Sequence, residues 1–430
     1  MQIKFLVVGL KMYKNLFQET FTLENSTAYE TYYKLGDIFN FLTDDLIVDV
    51  ENSKSASYFD AFNKPFLENL KHLRNTGLPH KYQEQFNHAN LAKLYGLDIL
   101  SRKDRELSFD KFDYLAVKNN TLVLCDGEIL VSNNLGTRKP FNIQILDKIH
   151  TNKSRQLEYV KYIKHTNNFS NLTYALSPFL NIVVFPAGSK DRFYKNPITA
   201  EYRNVGDEPF LSCNTTIFDV QHNTKVCLKE DVKTLSGQMN NNIYILRENS
   251  ELVLERKSND YGGWNIFDST FICHPKSKLI IDTKNTGSIY TQENFYIDST
   301  YHTNVKIKGR NKIFKGNNFH QYVYQKSNDV DNYSRIDIKN IGNEYADTSF
   351  IGRYDVGPFS VNFDGSMNNN NLMLSKNTKM HTRPILDIKT KEIQCQHGCT
   401  VSNINAEQLY YLQSRGVDNA KDVLVESFLC

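Results

Sequence analysis

From about Phe112 to Ile388 apolar and polar residues alternate in short runs, separated by Asn, Asp, Gly, Ser and Lys, the signature of strands half-buried on one face. A longer period lies over this alternation. Paired apolar positions recur at Val226/Leu228, Leu252/Leu254, Leu279/Ile281 and Val305/Ile307, spaced by 26, 27 and 26 residues. A second register runs eight residues ahead, at Phe218, Tyr244, Phe271 and Ile297. Two strand registers repeating at this interval predict successive turns of a β-solenoid, each burying its apolar face against the next. The next pair, Ile336/Ile338, comes 31 residues after Val305, so a loop is inserted there or the register is lost. Asparagines between the runs suit tight corners, because Asn tolerates left-handed backbone angles. An antiparallel sandwich also repeats its strands and is the bland alternative.

Helical patterning is confined to the ends. Phe66, Leu67, Leu70 and Leu73 share one helical face, with Pro65 suited to a first turn and Gly77 and Pro79 to a stop. Near the C-terminus Asn405 is an expected N-cap, with Gln408 completing a capping box ahead of Leu409 and Leu412, and Gly416 ends that helix. Asp418 is placed to cap a second helix through Phe428. The chain divides into a variable helical segment (1–76), a short motif-bearing region (77–111), a β core (112–403) and a C-terminal helical segment (404–430).

Composition narrows the function classes. The 51 basic and 48 acidic residues are balanced and form no long basic run, which argues against nucleic acid as the main partner. The early apolar run Phe5–Leu10 is too short for a membrane span or a signal-peptide core. A cytoplasmic protein with reduced thiols is expected, and its seven cysteines are an odd number for a disulfide framework. Cys125, Cys213, Cys227 and Cys273 are scattered, and Cys227, between two inward positions, should point outward. Cys395, Cys399 and Cys430 crowd the last 36 residues.

No nucleotide-binding loop is present. Gly188-Ser189-Lys190-Asp191 lacks the upstream glycine and the hydroxyl residue that such a loop needs, so no ATP site is expected. Zincin, nucleophile-elbow and Cys-x-x-Cys patterns are missing too. The stretch that stands out is Cys395-Gln396-His397-Gly398-Cys399. On an extended strand, period two sends both thiols and the imidazole to one face. That set suits zinc, copper(I), iron or a sulfur-bearing intermediate. Its bland counterpart is two small buried cysteines and a histidine making a buried hydrogen bond. A mononuclear site also needs a fourth ligand, which the local sequence does not supply.

The run from Gln394 to Val401, followed by Glu407-Gln408-Leu409-Tyr410-Tyr411-Leu412-Gln413-Ser414-Arg415-Gly416-Val417, resembles the C-terminal signature of the SufB/SufD family, the scaffold subunits of SUF iron–sulfur cluster assembly. Gly365–Leu374 leading to Arg383-Pro384-Ile385, the Phe350-Ile351-Gly352 rung, and Gly77-Leu78-Pro79 with Glu84 and Phe86 agree with it. Phe86 stands where the family has tryptophan. The Cys-x-His-Gly form points to the SufD branch. The resemblance implies a right-handed parallel β-helix with helical ends and a non-catalytic scaffold that pairs with a SufB-like subunit. It also implies docking of a SufC-like ATPase through the C-terminal helices around Leu409, Tyr410, Tyr411, Arg415 and Gly416, weakened by the short segment after them. Cys395 and His397 then match residues facing the SufB-like partner, where iron or a nascent cluster shared with it is held. That partner could supply the missing ligands. Cys399 replaces the family's alanine, as a third thiol ligand or a small core residue. A β-helical carbohydrate-binding or -cleaving protein, such as a virion spike, is the alternative from another class.

Overall fold

The computed structural model describes residues 32–35, 39, 60–97, 99–100, 121–125, 128–131, 142–147, 158–163, 167–177, 179–203, 211–233, 237–259 and 262–430. The apolar run at Phe5–Leu10 and nearly all of 24–59 lie outside them.

The repeat seen in the sequence is the rung of a parallel β-solenoid of about seven turns. Strands alternate between two sheets. The first stacks Asn196–Arg203, Thr224–Lys233, Glu251–Asn259, Lys278–Asn285, Asn304–Ile313, Tyr333–Gly342, Phe363–Met373 and Ile393–Asn403 in parallel. The second stacks Phe179–Phe185, Leu211–Val220, Gly237–Leu246, Trp264–Cys273, Tyr290–Ser299, Asn318–Ser327, Asp347–Val356 and Lys379–Ile388. Val226, Leu252, Leu279 and Val305 stand directly above one another, as do Phe218, Tyr244, Phe271 and Ile297. These columns form one core between the sheets, running from Leu122 to Cys395.

The register is kept beyond Val305. That residue pairs with Ser334 and Ile307 pairs with Ile336, so the turn lengthens to 29 residues and shifts the apolar pair by two places along its strand. The asparagines are distributed differently from expectation. Of nine non-glycine left-handed residues among those described, only Asn223, Asn249 and Asn362 are asparagine. Six of the nine (those three with Lys276, His302 and Asp331) form one corner column. Each donates its N–H to a carbonyl in the next corner, as from Lys276 to Tyr301 at 2.9 Å and from Asp331 to Val361 at 2.9 Å. This backbone ladder fixes the corner whatever its side chain and offsets the steric cost of a left-handed lysine or histidine. Asparagines instead line the interior. Asn285, Asn311, Asn340 and Asn371 pass hydrogen bonds up the stack at 2.8–2.9 Å, and Asn371 continues to the Thr400 carbonyl at 3.0 Å.

The N-terminal end of the solenoid differs from the rest. Glu128–Val131 and Asn142–Asp147 cover the first strands in antiparallel pairing. Helix Asn168–Leu176, inside the 112–403 stretch that reads as strand throughout, packs over the outer face of the second sheet. All nine of its residues are buried, so it has no polar stripe and leaves no 3.6-residue period to find. The helix expected near Pro65 spans Asp60–Thr76, placing that proline in the second turn, where it forfeits one backbone bond. Tyr32–Tyr33 adds a short antiparallel pairing with Ile99–Leu100 to a segment that reads as helical. Cys227 lies on the outer side of its strand, as expected, but is only 6% exposed. Among the described residues no helix is long and apolar enough to cross a membrane.

The segment 77–97 is strapped across the outer face of the second sheet. Glu84 accepts from Tyr322 at 3.2 Å and Arg353 at 2.8 Å, and Phe86 is buried edge-on to Phe169. The Asn90 N–H donates to His320 Nε2 at 3.1 Å, and His88 stacks on His381 at 4.5 Å.

Candidate functional site

Cys395, His397 and Cys399 occupy strand Ile393–Asn403, the last of the first sheet. It pairs on one side with Phe363–Met373, in the register Gly365–Cys395, Met367–His397 and Asn369–Cys399. Following that register down the stack places each of the three on an inward column. Cys395 ends the column of Val226, Leu252, Leu279 and Val305. His397 ends that of Leu228, Leu254, Ile281, Ile307, Ile336 and Met367, and Cys399 continues the column of Glu230 and Arg256. One rung lower these positions are core, but here no described strand covers them. His397 and Cys399 are exposed, and Cys395 is half-buried against the end of the core.

Donors on one strand face are about 7 Å apart at neighbouring inward positions, and Cys395 and Cys399 about 13 Å. Ligand atoms on one ion lie within about 4.6 Å of each other, since metal–sulfur bonds are about 2.3 Å. Cys395 and His397 can therefore share an ion, whereas Cys399 joins them only through a polynuclear centre or a second ion. Among the described residues no group of three or more His, Cys, Asp or Glu side chains is placed to hold a metal. The three side chains form a row at inward positions on the exposed end of the stack.

Burial, with Asp364 adding to it, pushes the Cys395 thiol up to about 11, so it is protonated at neutral pH until a cation or metal draws off the proton. Burial likewise pushes Cys273 up to about 12. Iodoacetamide at about pH 8 should accordingly modify Cys399 at least about tenfold faster than Cys395, with Cys273 slowest. Timed quenching and peptide mass spectrometry measure this, and faster labelling of Cys395 would contradict the assigned protonation.

The surface around the row carries strand edges and apolar side chains. Lys379–Ile388, the last strand of the second sheet, is also paired on one side only among the described residues, so both strands present unpaired backbone groups at this end. Leu386 and Ile393 are half-buried there, and Ile388 and Val401 are 37% and 44% exposed. Sequence motifs alone do not single out Leu386. The signal for it is the column of Phe218, Tyr244, Phe271 and Ile297, which continues through Gln325 and Tyr354 to Leu386.

After the last strand, helix Ala406–Ser414 begins at Asn405, whose side chain accepts from the Glu407 and Gln408 N–H groups at 2.8 and 3.2 Å. Gly416, left-handed at φ +79°, closes it, and the Val417 N–H returns to Leu412 at 3.1 Å. None of this helix is buried. Leu409 is half-buried, Tyr410 and Tyr411 are 73% and 57% exposed, and the Arg415 guanidinium lies 5.2 Å over the Tyr411 ring. Helix Ala420–Leu429 starts at Asn419, one residue past the expected cap, and packs Val425 onto Ile341 and Leu372. A cavity of about 370 Å³ lined by Gln85, Tyr296, Tyr322 and Tyr324 lies on the outer face of the second sheet, and its lining includes none of Cys395, His397, Cys399 or the C-terminal helices.

The SufBD core domain of the SUF system for FeS cluster assembly matches residues 202–428. The iron–sulfur cluster assembly protein SufD of Escherichia coli is 29% identical over 139 residues, which are 30% of this chain and 33% of that protein. An iron–sulfur cluster assembly SufBD family protein of Synechocystis is 23% identical over 386 residues, 82% of each chain. The chloroplastic protein ABCI7 of Arabidopsis thaliana is 30% identical over 81 residues, 18% of this chain and 17% of that protein.

Proposed function

The chain belongs to the SufBD family of the SUF iron–sulfur cluster assembly system, and from that premise we propose that it is a SufD-like scaffold subunit without catalytic activity of its own. It pairs with a SufB-like chain through the uncovered end of the solenoid, and iron or a nascent cluster is the cargo held there. The observation that carries this reading is the row Cys395, His397 and Cys399 at inward positions of a last rung that no described strand covers. Strand edges with half-buried apolar residues beside them suit a second solenoid end, and a partner there would complete the donor set. Cys395 binds with loss of its thiol proton, so cargo binding strengthens as pH rises. The exposed Tyr410 and Tyr411, with Arg415 beside them, support docking of a SufC-like ATPase on helix Ala406–Ser414. Family membership sets the carbohydrate-active reading aside.

Co-expression with SufB-like and SufC-like partners tests the proposal. A complex should form, and His397→Ala should leave it assembled while lowering the iron and sulfide delivered to an apo acceptor by roughly tenfold or more, the loss expected for a ligand position. Failure to form the complex, or unchanged delivery by the variant, would overturn it.

A further inference from the structure

The outer face of the first sheet, away from the last rung, carries the chain's surplus positive charge. Outward positions of Glu251–Asn259, Lys278–Asn285, Asn304–Ile313 and Tyr333–Gly342 hold nine Lys or Arg and four Asp or Glu, a surplus of five. The whole chain has a surplus of three. Every second residue of Asn304–Ile313 from Lys306 on is cationic, namely Lys306, Lys308, Arg310 and Lys312. Across the rungs, Lys257, Lys284, Arg310 and Lys339 stand in one column.

The carboxylates on this face do not neutralise it. Glu251 is shared by Lys225 and Lys278, Glu255 pairs with Lys229 at 3.6 Å, and Asp337 binds Arg310 at 2.6 Å. Asp364 of the next strand binds Arg335 at 2.8 Å, and Glu426 of the C-terminal helix binds Lys312. This leaves Lys257, Lys284, Lys306, Lys308 and Lys339 outside any ion pair among the described residues. Lys257, Lys284 and Lys308 are exposed and have no ion-pair or hydrogen-bond partner among the described residues. Lys306 lies over the Tyr333 ring at 5.8 Å and has no ion pair among the described residues. Like charges kept together on a rigid sheet repel one another, so the face favours a negatively charged neighbour.

We infer that this face is a docking strip for an extended acidic segment of a partner protein. An extended peptide sends every second side chain to one side, about 6.8 Å apart, which is the spacing of the cations along Asn304–Ile313. Alternation also lets a peptide place neutral residues over Asp282 and Asp337, where a nucleic acid would bring phosphate at every step. The Tyr333 ring is covered by the Arg335 guanidinium at 4.0 Å, and Phe428 of the C-terminal helix lies beside Lys339 at 5.9 Å at the edge of the face, so neither stands free among the unpaired lysines as a platform for a base. The strip is separate from the Cys395 row and stands or falls independently of it.

The test uses the full chain, a fluorescein-labelled peptide of alternating Glu and Thr about 12 residues long, and fluorescence anisotropy. The peptide should bind at about 50 mM salt and weaken strongly by about 200 mM. Combined Lys257→Glu, Lys284→Glu, Lys306→Glu and Lys308→Glu should weaken it by about tenfold or more, with thermal stability unchanged because these side chains hold nothing in place. Equal binding by the variant, no binding at low salt, or tighter binding of an oligothymidylate or of phosphatidylglycerol-containing vesicles would each overturn the inference.

Discussion

Arg256→Met should lower the free energy of unfolding by about 3–5 kcal/mol, a large fraction of the roughly 5–15 kcal/mol that holds a typical domain folded. Arg256 is fully buried between the sheets. It donates to Glu230 at 2.6 Å, to Glu293 at 3.0 Å and to Ser269 at 2.9 Å, with the Phe267 and Phe295 rings 4.5 and 5.5 Å away. Glu230 also accepts from Tyr202 and Tyr244, and Glu293 from Gln321 at 2.7 Å. One guanidinium thus serves two carboxylates in a dry interior, and burial already holds the Glu293 carboxyl above the usual range. Removing the cation strands both acids where water cannot reach them, and the cost is set by their desolvation. Urea denaturation measures the loss. Glu230→Gln in the same chain should recover part of it, and the deficit should narrow as pH falls and the Glu293 carboxyl takes up a proton. A loss under about 1 kcal/mol would mean that the network is not a closed unit.

Acid should weaken the strap formed by residues 77–97. His320 accepts the Asn90 N–H at Nε2, so its proton is on Nδ1, toward Ser349 Oγ at 2.9 Å, and the ring must be neutral. Burial first, then the His381, His88 and Lys93 charges, push its pKa down to about 3 from an ordinary 6.5. Burial and the neighbouring His381 and Arg383 push His88 down as well. Below about pH 6.5 the unfolded chain takes up a proton that the native ring refuses, so this stabilisation is complete above that pH and is lost as pH falls toward about 3. One pKa unit corresponds to about 1.4 kcal/mol, so His320 alone contributes a loss of about 2 kcal/mol by about pH 5. Buried Asp268, pushed up to about 6, acts in the opposite direction, because the native state holds its proton more tightly. The difference in pH dependence between the wild type and His320→Gln therefore isolates the imidazole. Parallel stability curves for the two would contradict the neutral, accepting His320.

How much of this was legible depended on whether a residue's role is local or set by stacking. The columns through Val226 and Phe218 announced themselves because each rung repeats an apolar residue at the same place. The trail faded at Ser334 and Gly365, which occupy the Val305 column without being apolar, although the backbone register never breaks there. The all-buried helix Asn168–Leu176 was invisible for want of a polar face. Glu230, Arg256 and Glu293 carry no local signal of burial, since nothing distinguishes an inward charge from an outward one except its parity within the rung. At the candidate site, strand parity correctly put Cys395, His397 and Cys399 on one face. Their distances, which separate Cys399 from a mononuclear site, followed only once the segment was fixed as a strand.

The two ends of the solenoid are unlike. Among the described residues the first strands have antiparallel neighbours, and the last two have no further strand beyond them. A stack of parallel rungs bare at both ends could add copies head to tail without limit, as fibrils do. The antiparallel strands at the first end break the parallel stacking, so parallel addition of another solenoid would use the last rung alone. Growth by that route would stop at two, with Cys395 and His397 at the middle of the pair.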